Sequence, residues 1–165
     1  MAYRFESANQ QELARVWQAA PSQVQPVIET WLRSVQMHME GEVKQLTPVR
    51  DGTLRNSIAA LPLETHAMGV TAVIGVDPDA KSALGTSLNY AIPVELGTKP
   101  HDIKPKNKRA LVFTIAGRQV FAGAVKHPGT KGAFMFSRAF DANVGKIQDD
   151  LNDLVRSIGM QLGVL

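Results

Sequence analysis

The chain has 165 residues, 44% of them apolar and 20% charged; this is the length of one ordinary domain, able to fold alone and bury roughly 70% of the surface its unfolded chain exposes. It contains no cysteine, which excludes a disulfide framework, a zinc–thiolate site and a thiol nucleophile; no apolar run nears the ~20 residues of a bilayer span, and MAYRFESANQ lacks the layout of a signal peptide. The expectation is a soluble protein of a reducing cytoplasm with no membrane partner, and its small net charge of +3 is very unevenly spread.

In chain order, Ser7 and Gln10 form a capping box ahead of Leu13, Val16, Trp17 and Ala20, which predicts an N-terminal helix or arm within 1–22. Pro26, suited to a first turn, opens a longer helix over 26–47, with Val27, Ile28, Trp31, Leu32, Val35, Met39, Val43 and Leu46 as a core stripe. The period then changes. A sheet region is predicted over 55–125, with strands at 57–64 and 70–76 around a hairpin loop at 65–69. The segment LNYAIPVEL (88–96) alternates as a half-buried edge strand, Pro93 weakening it, with a short helix as the rival reading. ALVFTIA (110–116) and QVFAGAV (119–125) flank Gly117-Arg118, read as a type II′ turn. The last helix is predicted over 132–163, from Phe136, Phe140, Val144, Ile147, Leu151, Leu154, Ile158 and Leu162. Helices, then a mostly antiparallel sheet with long basic loops, then a helix make a single α+β domain, 1–165.

Between 99 and 131 the chain carries eight basic residues, Lys99, Lys104, Lys106, Lys108, Arg109, Arg118, Lys126 and Lys131, against Asp102 alone, a net +7. The remainder, with 10 basic and 14 acidic residues, carries −4. Such asymmetry suggests a surface for an acidic partner, protein or nucleic acid, a solvated loop being the plain alternative. The basic loop at 97–109 is long for a structural connection alone.

Catalytic signatures are absent or weak. There is no phosphate-binding glycine loop, no H-E-x-x-H and no G-x-S-x-G. His38 and His66 read as surface residues; His101 and His127, each beside a proline, read as histidines that hydrogen-bond loop backbone. No two histidines and acids stand at metal-ligand spacing. Asp51-Gly52 and the Asp77/Asp79 pair read as turn formers, and Asp149/Asp150 as a solvated helix face. The expectation is no enzyme, no cofactor and no metal.

The run NYAIPVELGTKPHDIKPKNKRALVF, followed by VFAGAVKHPGTKGAFMFSRAF, resembles the phage neck or tail-completion proteins. That family is represented by gene product ten of a lambda-like long-tailed phage and is related to minor tail protein Z. Tyr90, Ala91, Val94, Glu95, Gly97, Thr98, Pro100, His101, Lys106, Ala110, Leu111, His127, Pro128, Gly129, Thr130, Lys131 and Phe134 fall on its pattern in order. Upstream, TPVRDGTLRNSI resembles a further family element, so the likeness spans about 46–140. Gly132-Ala133 and Met135 depart from it, standing where the family often has a proline before phenylalanine.

The resemblance implies a structural virion protein of the neck, joining head to tail without catalysis. It would form a homo-oligomeric ring, a hexamer or dodecamer, assembled in the host bacterial cytoplasm and retained in the virion. Its partners would be head connector or adaptor proteins, tail terminator or tube proteins, and packaged double-stranded DNA in the lumen. Lys99, His101, Lys104, Lys106, Lys108, Arg109, Lys126, His127 and Lys131 are the residues expected to face a partner or DNA. Tyr90, Glu95, Gly97, Thr98, Pro128, Gly129, Thr130 and Phe134 are expected to be structural members of the motif. Three alternatives stand beside this reading: a tail-terminator-type ring, a nucleic-acid-binding module outside virions, and a small hydrolase using His101 or His127 with Glu95 or Asp102.

Overall fold

Apolar residues at steps of three and four give two long helices a buried face, gathered in two clusters, although Val27 and Val144, expected in the core stripes, are exposed; these two helices frame the molecule. The structure, a computed structural model, describes residues 2–4, 24–66, 69–77, 79–80 and 90–162. Its elements run β1 (Ala2–Arg4), α1 (Val24–Leu46), α2 (Thr53–Ser57), β2 (Ile58–Ala60), β3 (Glu64–His66), β4 (Gly69–Thr71), β5 (Val73–Val76), α3 (Ala91–Leu96), β6 (Gly97–Thr98), β7 (His101–Ile103), β8 (Leu111–Ile115), β9 (Arg118–Ala122), β10 (Val125–His127), β11 (Thr130–Lys131) and α4 (Met135–Leu162). Among the described residues every strand pair is antiparallel, and the class is α+β.

Helices α1 and α4 lie antiparallel. Near one end Met39 and Val43 share a buried cluster with Met135, Phe136 and Ala139, together with Leu54, Ile58, Ile74 and Ala91. At the other end Val24 and Ile28 meet Ile158. Between these clusters His38 Nε2 lies 3.0 Å from Asn143 Oδ1. The sheet β1–β5–β2 packs against α1 and is held there by Gln36, only 3% exposed. Its side-chain amide donates to the carbonyls of Leu61 and Val73, both at 3.0 Å, so a buried polar group tightens the layer instead of weakening it. Glu40 adds a second tie, accepting from Lys44 Nζ and from the Ala60 N–H at 2.9 Å. The Lys44 bond leads in lowering its pKa, against partial desolvation, with the Ala60 bond adding to it.

Several expectations need correction. Helix α1, expected over 26–47, begins at Val24 and ends at Leu46, keeping Pro26 in its first turn. The expected helix around 7–20 lies outside the described residues, while Ala2–Arg4 is a strand on β5 and not part of a helix. Ser57 ends helix α2, so strand begins only at Ile58. The β2–β5 ladder passes into β3–β4 with three residues, 61–63, opposite two, 72–73. That is a bulge at Pro62, the place where a strand tolerates proline. The ladder continues to His66↔Gly69, so residues 65, 66 and 69 are strand and the loop is tighter than 65–69. Residues 91–96 are helix α3 and not the edge strand. The tip of the β8–β9 hairpin is Ala116-Gly117, with φ of 48° and 79°. Two positive φ values make it type I′, one residue earlier than Gly117-Arg118 in type II′.

Helix α4 starts at Met135 and not at 132 because the residues before it are committed elsewhere. The Ala133 and Phe134 N–H groups donate to the carbonyls of Val94 and Glu95, at 2.8 and 3.0 Å. Phe134 also has φ of 50°, outside the helical range.

Candidate interaction arm

Part of the basic segment is strand. Gly97 and Thr98 pair with Lys131 and Thr130, and His101, Asp102 and Ile103 pair with His127, Lys126 and Val125. The register carries from the first pair to the second without a slip. Beyond it, Leu111–Ile115 pairs with Arg118–Ala122. Residues 97–131 therefore form one long antiparallel β-arm; within the expected loop at 97–109, residues 97–98 and 101–103 are strand, while 99–100 and 104–109 are irregular, as expected. Seven residues, 104–110, stand opposite two, 123–124, so Lys104, Lys106, Lys108 and Arg109 bulge out at its waist.

The arm's root is made by the motif residues, and three glycines explain their spacing. At Gly97, φ is +78° and a Cβ would stand 2.5 Å from the Thr130 carbonyl oxygen. At Gly129, φ is +85° and a Cβ would collide with the Thr98 carbonyl oxygen. Gly132 would place one 2.6 Å from the Glu95 carbonyl oxygen. Two backbones thus lie directly on each other, which only residues without a Cβ permit. The Thr98 hydroxyl accepts from the Thr130 N–H at 3.0 Å and lies 3.0 Å from the Thr130 hydroxyl. Pro128 sits exposed at the bend before Gly129.

Glu95 fastens the root to α4. It is 1% exposed, and its carboxylate accepts from the Phe136 N–H (3.2 Å), the Ser137 N–H (3.3 Å) and the Ser137 hydroxyl (3.3 Å). A helix N-terminus presents unpaired N–H groups and a partial positive charge, and a carboxylate answers both. Here it arrives from 41 residues upstream. Replacing Glu95 with alanine strands buried donors, so thermal unfolding should show a loss of about 3 kcal/mol, with glutamine, which keeps one acceptor oxygen, losing less than half of that.

The two arm histidines meet across the ladder with ring centroids 5.0 Å apart and planes tilted by 30°. His101 Nδ1 donates to the Lys99 carbonyl at 2.8 Å, and His127 Nδ1 accepts from the Gly129 N–H at 3.1 Å. Both bond loop backbone, as expected, and opposite roles at Nδ1 assign opposite tautomers. Elsewhere, Asp51 Oδ1 accepts from Thr53 N–H at 3.0 Å and Asp77 Oδ1 from Asp79 N–H at 2.9 Å, the expected turns. Tyr90 precedes α3; partial burial, then the Asp51 charge, raises its pKa.

Lys99, Lys104, Lys106, Lys108, Arg109, Arg118, Lys126 and Lys131 are all exposed, and among the described residues none engages an ion pair. Asp102 sits directly across from Lys126. Among the described residues no three His, Asp or Glu side chains gather as a metal would require. No helix among them is long and apolar enough to cross a membrane. Sequence reasoning missed Gly132, Phe136 and Ser137 at the root, and the outer face of β8–β9. There Val112 and Phe121 are 56% and 67% exposed, and Ile115, on the other face at the tip, is 58% exposed. Alternation marked two faces on this hairpin but not which one stays bare. Compared with protein-family models, with curated proteins and with solved structures, the chain matches none.

Proposed function

We propose that this chain is a structural subunit of a phage neck, closing into a ring that joins the head connector to the tail. The observation that carries the reading is the cationic β-arm. Its net +7 is presented on an extended element, with no ion pair to an acid among the described residues, and its root is built from the residues that carry the family resemblance. A charge surplus on a projecting element steers an acidic partner and fixes its orientation. The partner is the acidic face of an adjoining ring or DNA in the lumen, and a tail terminator would use the same geometry.

Negative-stain imaging and native mass measurement of the purified chain, alone and with connector and tail components, test this. Closed rings and incorporation into mature particles are expected. A chain that remains monomeric beside those components and is missing from particles overturns the reading. The exposed lysines also favour a second reading, a duplex-binding module outside virions, which predicts affinity for free DNA falling steeply with salt. Few aromatics flank the cations, so stacking on single strands has little support.

A further inference from the structure

We propose that the occupant of the groove between α1 and α4 is the β8–β9 hairpin of a second copy of this chain, so that each arm grips the next subunit head to tail. The inference rests on the ring reading and adds the contact that would build the ring.

Two surfaces of the chain are each unsatisfied. The first is the hairpin. It packs chiefly on itself, yet Val112 and Phe121, paired across the ladder, share an exposed outer face, and Ile115 is exposed at the tip. A lone two-stranded hairpin is at best marginally stable in water, so this apolar face calls for a cover. The second surface is an open groove of about 460 Å³ along the helix seam. Trp31, Val35, Ile147 and Leu154 line it, and Asp150 and Asp153 border it against Lys146.

Charge selects the occupant. The arm carries +7 and the rest of the chain −4, so an arm is attracted to another copy's body more than to another arm. At the hairpin tip Arg118 stands opposite Ile115, on the face turned away from Val112 and Phe121, so it borders the apolar patch from the tip as Asp150 and Asp153 border the apolar lining of the groove. Asp153 makes an exposed pairing with Arg156 at 3.7 Å, the kind of contact that contributes little and that Arg118 can replace. The two surfaces are different patches of one molecule. Their contact is therefore heterologous, and such contacts generate rings when the rotation closes.

The natural absence of cysteine makes the test clean. Gln119 shares the outer face with Phe121, and Ser157 lines the groove. Tagged Gln119→Cys chain is mixed with untagged Ser157→Cys chain under mild oxidation. A disulfide between the two variants is expected, and the double variant should give a ladder ending in one closed species. Phe121→Asp, at a side chain already exposed and so compatible with folding, should abolish both products, and Asp150→Lys with Asp153→Lys should weaken them. Rings assembled from the cysteine variants in which the disulfide fails to form, or rings that survive Phe121→Asp, overturn the arm-in-groove contact and leave the neck reading standing. Loss of duplex binding in Phe121→Asp without loss of cross-linking also overturns it, because the hairpin would then serve DNA. Incorporation into particles is scored separately: a chain missing from them removes the neck reading, whatever the disulfide does.

Discussion

Gly129→Ala should unfold the arm's root and lower the melting temperature by roughly 10 °C or more, taking about 2–4 °C per kcal/mol for a chain of this size. Two terms add. An alanine in the left-handed region costs roughly 1–2 kcal/mol. The added methyl then meets the Thr98 carbonyl oxygen, with Lys99 C at 2.9 Å and Pro100 N at 3.1 Å behind it. These are backbone atoms and cannot rotate aside, so the β6–β11 pair must part. The Thr98–Thr130 bonds and the His127–Gly129 bond are lost with it. Gly117→Ala is the matched control. Gly117 has nearly the same φ, +79°, but nothing within 4 Å of its Cβ position, so it isolates the conformational term alone, roughly 1–2 kcal/mol. Equal melting temperatures for the two variants would mean that the close approach of the backbones does not hold the root.

On the proposed neck function, the triple change Lys106→Glu, Lys108→Glu and Arg109→Glu should leave the fold intact and abolish the joining of heads to tails. All three side chains are exposed on the bulged stretch, where substitutions usually shift stability by no more than about 0.5 kcal/mol. Each reversal removes two units of charge, so the segment 99–131 drops from +7 to +1. The attraction that orients an acidic partner is then nearly gone, and its most exposed part is inverted. Titre of infectious particles is the readout, with circular dichroism to verify folding. Joining by the unaltered chain should also weaken with rising salt, since exposed charges are screened beyond about 8–10 Å at physiological ionic strength. Full titre from the triple variant would show that the waist of the arm faces no partner.

The parts of the fold readable beforehand are those held by local rules. Met39 and Val43 belong to a stripe long enough to fix α1, and Phe136, Leu151 and Ile158 do the same for α4. The hairpin at 111–122 announces itself through apolar runs around a glycine. Other features depend on partners distant in sequence. Ala2–Arg4 is three residues long and becomes a strand only because β5 offers an edge. Residues 91–96 alternate like a strand, yet their decisive feature is Glu95, whose burial makes sense only once the start of α4 lies against it. Hydropathy reads a glutamate as exposed, so a carboxylate serving as a distant helix cap runs against the local signal. The arm was obscured for a similar reason. Its strands are interrupted by turn-forming residues, and their common register emerges only when 97–103 and 125–131 are laid side by side.

The mismatch at the waist makes the arm modular. Because residues 104–110 span what 123–124 cover on the opposite strand, insertions or deletions between Ile103 and Leu111 need not disturb the ladder on either side. Lengthening a flexible segment adds little entropy cost. The reach of the lysine cluster can therefore drift as a partner's surface changes, while the apolar tip and the glycine-clasped base keep their geometry.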